Sequence, residues 1–363
     1  MAPPLKGEVV YLFAFDVADE IRTEKVSKIL SKKAMPFTIP LDHTLPKDMP
    51  FYTPLTIEPR PHAWKLGGLP MNIVVRIYDV GVVSLMISVP FEVSSVKELI
   101  KFHEPTLDNQ RPLDAAAHDL CTDIVKNLQE YIVRGSEKVG TPEPYTVFTF
   151  QEAGGAVNTG PWVEEHRQEI AGLLAETDAE KLSPQQVEET FRQSISFSQE
   201  DTTIIDWDSA FVIDLSGPPK DILHVLELAN LQLEELVLMD QRLDRFLDRA
   251  YDDLEATRFP FFGFFRMGLA KLRRFRMDVT KITDDVSNIS KFFGDWYLAR
   301  VYLAARERFH LSTWKESIQN RLSHLDHLYE VLRAETNESR MLVLEFLIVL
   351  LFIIDLVAVF LRN

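Results

Sequence analysis

The 363-residue chain contains a single cysteine, and this scarcity limits its chemistry. Cys121 alone cannot form an internal disulfide, and one thiol cannot supply a C-x-x-C pair. The surrounding residues, LDAAAHDLCTDIV, have a helical pattern. We therefore expect Cys121 to be a small core residue in a protein of a reducing compartment.

Motifs of the common enzyme classes are also absent from the sequence. It has no Walker loop, no H-E-x-x-H metalloprotease motif and no G-x-S-x-G nucleophile motif. The glycine-containing segment 154–160 lacks the Lys-Ser/Thr pair of a phosphate cradle, so we expect a plain loop there. These absences favour a non-enzymatic protein with no catalytic residues and no cofactor.

Basic residues are outnumbered by acidic ones. The net charge is −16 and the isoelectric point about 5.1, which argues against specific nucleic-acid binding because that needs a basic face. The first residues carry no basic segment ahead of an apolar run, so we expect no secretory signal. The sequence thus places the N-terminal body in the cytoplasm.

One long apolar run lies at the end of the sequence, at residues 341–361. About 20 apolar helical residues span the ~30 Å hydrocarbon core of a bilayer. The run therefore predicts a transmembrane helix. It also predicts a tail-anchored, single-pass protein of a bacterial inner membrane or an organelle membrane. A helix buried in a soluble bundle is the alternative.

Two acids, Glu345 and Asp355, fall inside this run. A carboxylate at the bilayer centre costs ~2.5–3.5 kcal/mol, which the surrounding apolar residues outweigh. Asp355 would be protonated, paired with a cation or turned toward a neighbouring helix. The last option predicts an anchor that also oligomerises.

Residues 1–217 alternate between strand and helix patterns. Residues 9–15 are rich in β-branched and aromatic side chains, and 73–78 and 82–89 are two strands joined by a tight turn. Recurrent prolines exclude helix from residues 35–70. We predict an α+β head domain over 1–217.

Past residue 217, the spacing changes to one apolar residue every three or four positions. This spacing predicts a long helical, coiled-coil-like stalk over 218–340, with a Phe/Arg-rich turn at 258–276. The transmembrane helix at 341–361 follows. A seam of this length also predicts a homo-oligomer formed through the stalk and the membrane helix, unless the stalk helices bury their seams on each other.

The turn at 258–276 reverses the local charge, since it has no acid. Aromatic and cationic side chains together fit a lipid headgroup region. We therefore predict contact with the bilayer surface, whereas a buried Phe cluster capped by Arg pairs is the alternative. The predicted contact residues are Phe259, Phe261, Phe262, Phe264, Phe265, Arg266, Lys271, Arg273, Arg274 and Arg276.

Two weak metal-site patterns occur. Asp206 and Asp208 stand at i and i+2 of a predicted strand, so both carboxylates would point to one face. His324 and His327 stand at i and i+3 of a predicted helix. Neither pair supplies a complete ligand set.

Three segments resemble the family of domain-of-unknown-function proteins named for the yeast "required for meiotic nuclear division" protein. They are VVRIYDVGVV at 74–83, LELANLQL at 226–233 and LEFLIVL at 344–350. The resemblance implies a membrane-anchored organising protein, and it carries no catalytic residues over to this chain.

We therefore expect a tail-anchored scaffold that acts through protein–protein and membrane-surface contacts, with a further protein partner at the head. The alternative is a membrane-bound metal- or nucleotide-dependent enzyme with a cleft in the head domain.

Overall fold

The computed structural model describes residues 3–29, 34–36, 54–57, 64–135, 139–142, 144–256, 276–277 and 295–362. The strands are β1 (Leu5–Asp16), β2 (Ala18–Ile21), β3 (Ala34–Pro36), β4 (Leu55–Ile57), β5 (Lys65–Leu66), β6 (Leu69–Pro70), β7 (Asn72–Ile77), β8 (Val82–Val93), β9 (Ile132–Gly135), β10 (Tyr145–Ala153), β11 (Ser194–Ile195), β12 (Asp201–Ile205) and β13 (Ser209–Asp214). The α-helices are α1 (Thr23–Ile29), α2 (Leu113–Leu128), α3 (Thr159–Glu165), α4 (Arg167–Leu174), α5 (Pro184–Thr190), α6 (Lys220–Ala256), α7 (Trp296–Arg308) and α8 (Leu311–Arg362). Short 3-10 helices cover Val96–Phe102, Gln129–Tyr131, Ala179–Lys181 and Phe191–Gln193.

Nine strands form one mixed sheet in the order β11-β12-β13-β10-β1-β8-β7-β4-β3. Strand β1 lies at the centre and pairs in antiparallel fashion with β8 on one side and β10 on the other. The β10–β13 pair is parallel, because the chain crosses over through α3, α4 and α5 between them. The sheet is therefore antiparallel except at this one pair of strands.

The predicted hairpin at residues 79–81 is confirmed, and it joins β7 to β8. Tyr78 N–H donates to the Val82 carbonyl at 2.9 Å, and Gly81 adopts a φ of 91°. A Cβ atom at position 81 would lie 1.8 Å from the carbonyl oxygen of Ala18. Only glycine fits this turn, for reasons of both backbone conformation and space.

Helices cover both faces of the sheet. Alternate residues of β1, such as Tyr11, Phe13 and Phe15, belong to the main core with α2, α3 and α4. On the opposite face, Asn230 of α6 donates to the Leu12 carbonyl at 3.3 Å. Helix α7 is joined to α6 there, since Tyr302 donates to Gln232. The sheet thus lies between two helical layers.

The chain divides into two compact units. Unit 1 comprises Met1–Glu235 and Val286–Ser312, and unit 2 comprises Leu236–Asp285 and Thr313–Asn363. In unit 2, Arg321 of α8 pairs with Asp240 and Asp244 of α6. Tyr251 and His324 lie 3.0 Å apart through the phenol oxygen and Nε2. These polar contacts connect the two helices within that unit.

The predicted fold class, an α+β head on a coiled-coil-like stalk with a membrane helix, is wrong. The apolar repeat that begins at Ile222 lies on α6, and up to Glu235 this helix belongs to unit 1, where Leu226 and Leu228 are buried as well as Ile222. Helix α7, which lies past residue 217 as well, also belongs to unit 1. Apolar residues at every third or fourth position occur both on a helix face that packs against a sheet and in the seam of a coiled coil. The spacing alone therefore does not distinguish the two.

Among the residues that the structure describes, no helix is long and apolar enough to cross a bilayer. The predicted segment contains the acidic residue Glu345. The predicted transmembrane helix at 341–361, the tail anchor and the single-pass membrane localisation are therefore wrong.

Candidate functional site

A cavity of about 950 Å³ opens at one end of the central strands in unit 1. Phe15 near the end of β1 and Thr146 near the start of β10 both line it, because antiparallel pairing brings these two strand ends to the same edge of the sheet. Asp208, just before β13, joins them because β13 runs parallel to β10. The cavity has the size of a small-molecule binding site.

Its wall is a proline-bounded loop that leads into α2. Thr106 and Pro112 form an isolated antiparallel bridge, and Leu113 N–H donates to the Pro105 carbonyl at 3.0 Å. Inside the loop Gln110 has a φ of 65°, a left-handed conformation that non-glycine residues seldom adopt. The loop is thus closed on itself by backbone hydrogen bonds and presents the first turn of α2 to the cavity.

A buried histidine faces a carboxylate at the cavity wall. His103 Nε2 lies 2.8 Å from the Leu173 carbonyl oxygen, and its Nδ1 lies 2.7 Å from Glu176 Oε1. The ring packs on Phe148, with the centroids 5.0 Å apart. Glu176 follows α4 with a φ of 52°. This left-handed residue ends α4, since Glu176 N–H donates to the Leu173 carbonyl at 3.2 Å and Thr177 N–H donates to the Gly172 carbonyl at 3.0 Å.

The charged residues of the cavity lining are mostly acidic. Arg111, its one arginine or lysine, pairs with Asp119 and donates to the Ala115 carbonyl at 2.8 Å. The hydrogen bond and charge of Arg111 lower the pKa of the Asp119 carboxyl. His118 Nε2 contacts the Val139 carbonyl at 3.3 Å. Among the charged lining residues, acidic ones therefore outnumber the single arginine; they are Glu104, Asp114, Asp119, Glu176 and Asp208.

A second polar cluster is buried between the sheet and α6. Arg76 of β7 pairs with Glu227 of α6, Ser84 of β8 donates to Glu227 at 2.6 Å, and His224 Nδ1 lies 3.5 Å from it. Burial alone would raise the pKa of Glu227, but the Arg76 charge, with His224 and Ser84, lowers it to about 2. The carboxylate is thus fully ionised and held from three sides, which makes this cluster a structural ion pair.

The weak metal candidates are separated in the structure. Asp206 is buried and accepts from Arg308 Nε at 2.9 Å, while the same guanidinium donates to Glu189 at 2.8 Å. Asp208 is exposed and lines the cavity. Within the described ranges, no group of three or more His, Cys, Asp or Glu side chains is placed to hold a metal ion.

The other predicted site residues lie mostly in unit 2. His324 contacts Tyr251, and His327 is exposed. The predicted membrane-surface residues from Phe259 to Arg274 lie outside the described residues, and Arg276 donates to Asp326 at 3.1 Å. Glu345 is exposed, and the side chain of Asp355 lies outside the described ones.

An exposed apolar surface covers part of α8. Ten large side chains between residues 344 and 354 are each 41–72% exposed. We call these residues the apolar segment; they are Leu344, Phe346, Leu347, Ile348, Val349, Leu350, Leu351, Phe352, Ile353 and Ile354. An exposed apolar surface of this extent marks a site of interaction with another protein or with a membrane.

Reasoning from the sequence missed His103 and Glu176. They are 73 positions apart and belong to no catalytic or metal-binding motif. The one local signal was the proline pair at 105 and 112 that brackets a short polar loop, and it is a weak one.

Comparisons with known proteins place the head in an archaeal family. A family model described as "Uncharacterized protein MJ0711, N-terminal domain" matches residues 6–220. The relative of that name from Methanocaldococcus jannaschii is 22% identical over 217 residues. The match covers 59% of this chain and 65% of the archaeal protein, slightly less than two thirds of its length. The resemblance to the meiotic nuclear division family is therefore wrong, because the matching family is a different one.

Proposed function

The chain belongs to the MJ0711 N-terminal domain family, and on this premise we propose that it is a non-enzymatic scaffold that self-associates through the apolar segment of α8. The observation that carries the proposal is the exposure of ten consecutive or near-consecutive large apolar side chains on one helix. A helix that is apolar on every side is buried in the functional state of a protein.

The size of this surface supports a stable interface. Side chains exposed to this degree present on the order of 1,000 Å², which exceeds the ~800 Å² that each partner of a standard interface buries. The largest apolar patch of a typical monomer is only ~300–600 Å². The apolar segment therefore provides enough area for a partner.

A second copy of the chain is the partner that fits best. Identical helices packed around a symmetry axis bury the apolar faces that they turn toward one another, and a helix that is apolar on several sides can pack against more than one neighbour. Only Glu345 interrupts it, at the N-terminal edge, where a carboxylate can stay in water. We therefore expect a symmetric helical bundle.

Sedimentation analysis of the full chain in mild detergent tests the proposal. Leu351→Glu places a carboxylate in the middle of the segment, and each buried unpaired charge costs several kcal/mol. We expect the wild type to be an oligomer and this variant a monomer. Val331→Glu, an exposed apolar position on the same helix outside the segment, makes the same charge change and should leave the oligomer intact.

Three results would contradict this function. They are a wild-type monomer at tens of micromolar protein, an unchanged oligomer in Leu351→Glu, and a monomeric wild type that floats with lipid vesicles. The last result would make lipid the occupant of the apolar segment.

A further inference from the structure

Helix α7 turns a row of side chains away from the sheet. Trp296, Arg300, Leu303 and Glu307 are spaced by four, three and four residues. At 3.6 residues per turn, this spacing places the four side chains on one face of the helix. Trp296, Leu303 and Glu307 are exposed, and Arg300 is half-buried. We call these four residues the outer row of α7.

The opposite face of α7 holds the helix on the sheet. Three of the buried side chains on that face are Leu298, Val301 and Ala305. Tyr297 in the first turn donates to Asp201 of β12 at 2.8 Å, and Arg308 in the last turn pairs with Asp206, just after β12. Because both ends of α7 are tied to β12, the outer row is held on a fixed element of unit 1.

Aromatic rings extend the outer row at both ends. Phe197 packs on Tyr297 with the ring centroids 5.5 Å apart, and Trp207 packs on His310, just after the helix, at 4.5 Å. Phe197, Trp207 and Trp296 are 51–73% exposed. An aromatic side chain buries roughly 150–250 Å², so these three present on the order of 400 Å², about half of what one partner of a standard interface buries. This area suits a transient protein–protein contact, and Trp, Phe and Arg are enriched in the centres of such contacts.

The charge left unbalanced on this face is positive. Within the described ranges, the structure gives neither Arg300 nor Arg306 an ion pair, and Arg300 lies over the Trp296 ring, 4.8 Å from its centroid. Glu307 pairs with Arg192 at 3.8 Å. The arginines on either side of Leu303 are therefore available to a carboxylate from outside.

The acids at the start of α7 are engaged within unit 1. Asp295 caps the helix by accepting from the Tyr297 N–H at 2.6 Å, and Asp201 accepts from the Tyr297 hydroxyl. Their hydrogen bonds thus fix the start of the helix. The outer face of α7 is a local site of positive charge on a chain with a net charge of −16.

We propose that the outer row of α7 binds an amphipathic helix of a partner protein, one that carries carboxylates beside its apolar stripe. Spacings that alternate between four and three residues are those of the a and d positions that pack one helix along another. Carboxylates of the partner pair with Arg300 and Arg306, while its apolar side chains cover Trp296 and Leu303. This inference goes beyond the proposed self-association and does not depend on it.

Other occupants fit this face less well. If a two-fold axis passed through Leu303, Arg300 would lie opposite Arg306 of a second copy, because both positions are three residues from 303. Like charges placed together at an interface cost free energy. Nucleic acids and anionic membranes are disfavoured because a net charge of −16 repels polyanions. An acidic helix of another protein is therefore the favoured occupant.

Selection from a phage-displayed library tests the proposal on the full chain. Each clone displays a three-heptad helix with leucine at the a and d positions and a random choice of Glu, Gln or Lys at e and g. We expect the wild type to enrich clones that no longer bind Leu303→Glu, and in these clones Glu should outnumber Lys at least ten-fold. The net charge of −16 alone would favour Lys, so the sign of the preference separates a docking site from non-specific attraction.

Matched variants locate the site, with a selected helix as a labelled synthetic peptide and fluorescence anisotropy as the readout. Leu303→Glu should lower its affinity at least ten-fold. Arg300→Glu should reverse the preference, so that a peptide with Lys in place of Glu binds more tightly. Leu69→Glu makes the same change at a leucine of similar exposure on β6, which leads into β7, four strands away from β12. This variant and Leu351→Glu should bind the peptide like the wild type, and circular dichroism checks that each variant is folded.

The proposal is overturned if no enriched clone depends on Leu303, if the clones that do are rich in Lys, or if Arg300→Glu and Leu69→Glu bind the peptide alike. Flotation of the wild type with anionic vesicles that is lost in Arg300→Glu would make a lipid surface the occupant of this face, and would overturn it too. Sedimentation should give the same oligomeric state for the wild type and Leu303→Glu, so failure here leaves the proposed self-association unaffected.

Discussion

Replacing Glu227 with glutamine should destabilise unit 1 strongly. Glutamine has nearly the same shape, so it retains the packing between α6 and the sheet and removes only the charge. Arg76, which is 7% exposed, then loses its counterion. Ser84 and His224 lose the carboxylate that they contact as well. The variant therefore isolates the electrostatic part of this contact.

Two independent figures give the size of the effect. Removing one partner of a buried ion pair costs about 3–5 kcal/mol, because the remaining charge stays uncompensated. The fall of the Glu227 pKa from 4.5 to about 2 corresponds to about 3 kcal/mol of stabilisation of the ionised form. We therefore expect the free energy of unfolding of Glu227→Gln to fall by about 3–5 kcal/mol at pH 7.

The assay is urea unfolding of the full chain, followed by far-UV circular dichroism and by tryptophan fluorescence, to which Trp162, buried in unit 1, contributes. The double variant Arg76→Met with Glu227→Leu should recover most of the loss, because a well-packed apolar pair often replaces a buried ion pair without cost. A single variant as stable as the wild type, or a double variant no better than the single one, would refute the reasoning.

The same contact predicts a pH dependence. Because the pKa of Glu227 is lower in the folded state, its stabilisation is fully present above about pH 4.5 and is lost as the pH falls toward 2. The difference in urea midpoint between wild type and Glu227→Gln should thus be constant from pH 5 to 8 and shrink below 4.5. A difference that stays constant down to pH 2.5 would show that the carboxylate charge does not carry the effect.

Three further changes test other parts of unit 1. Gly81→Ala should lower stability by more than about 1–2 kcal/mol, measured by thermal unfolding, because φ is positive and the new Cβ would meet the Ala18 carbonyl oxygen. Arg308→Met should cost about 3–5 kcal/mol in urea unfolding, since Asp206 is left buried without a cation. Cys121 should resist alkylation by iodoacetamide until the protein unfolds, because it is buried and burial raises the pKa of its thiol. Fast labelling of Cys121 in the native protein would contradict its buried position.

Local patterns in the sequence predict several elements of the head well. The run of β-branched and aromatic residues at 9–15 forms the centre of β1, as predicted, and Ser183 caps α5 with Pro184 in its first turn, a start typical of helices. Cys121 is buried on α2 as predicted. In each case the decisive forces act between residues close in sequence, so the sequence alone contains the information.

Local sequence patterns do not predict contacts between residues that are far apart in the sequence. Arg76 and Glu227 are 151 residues apart, and each is an ordinary charged residue in its own segment. Gln232, which breaks the apolar repeat of α6, is buried and accepts from Tyr302. The repeat predicted a coiled coil, because spacing shows that a helix face is buried and does not show what buries it.

The position of β1 has a consequence for how the protein is made. This strand is synthesised first among the described strands, yet its neighbours β8 and β10 follow much later, with Leu12 pairing to Met86 and Tyr145. At ~5–20 residues per second, β1 waits on the order of ten seconds or more for its second partner. During that time an apolar segment with open hydrogen-bonding edges is exposed to other nascent chains. Refolding yield of this protein should therefore depend steeply on concentration, and ribosome-associated chaperones should act on it before β10 is synthesised.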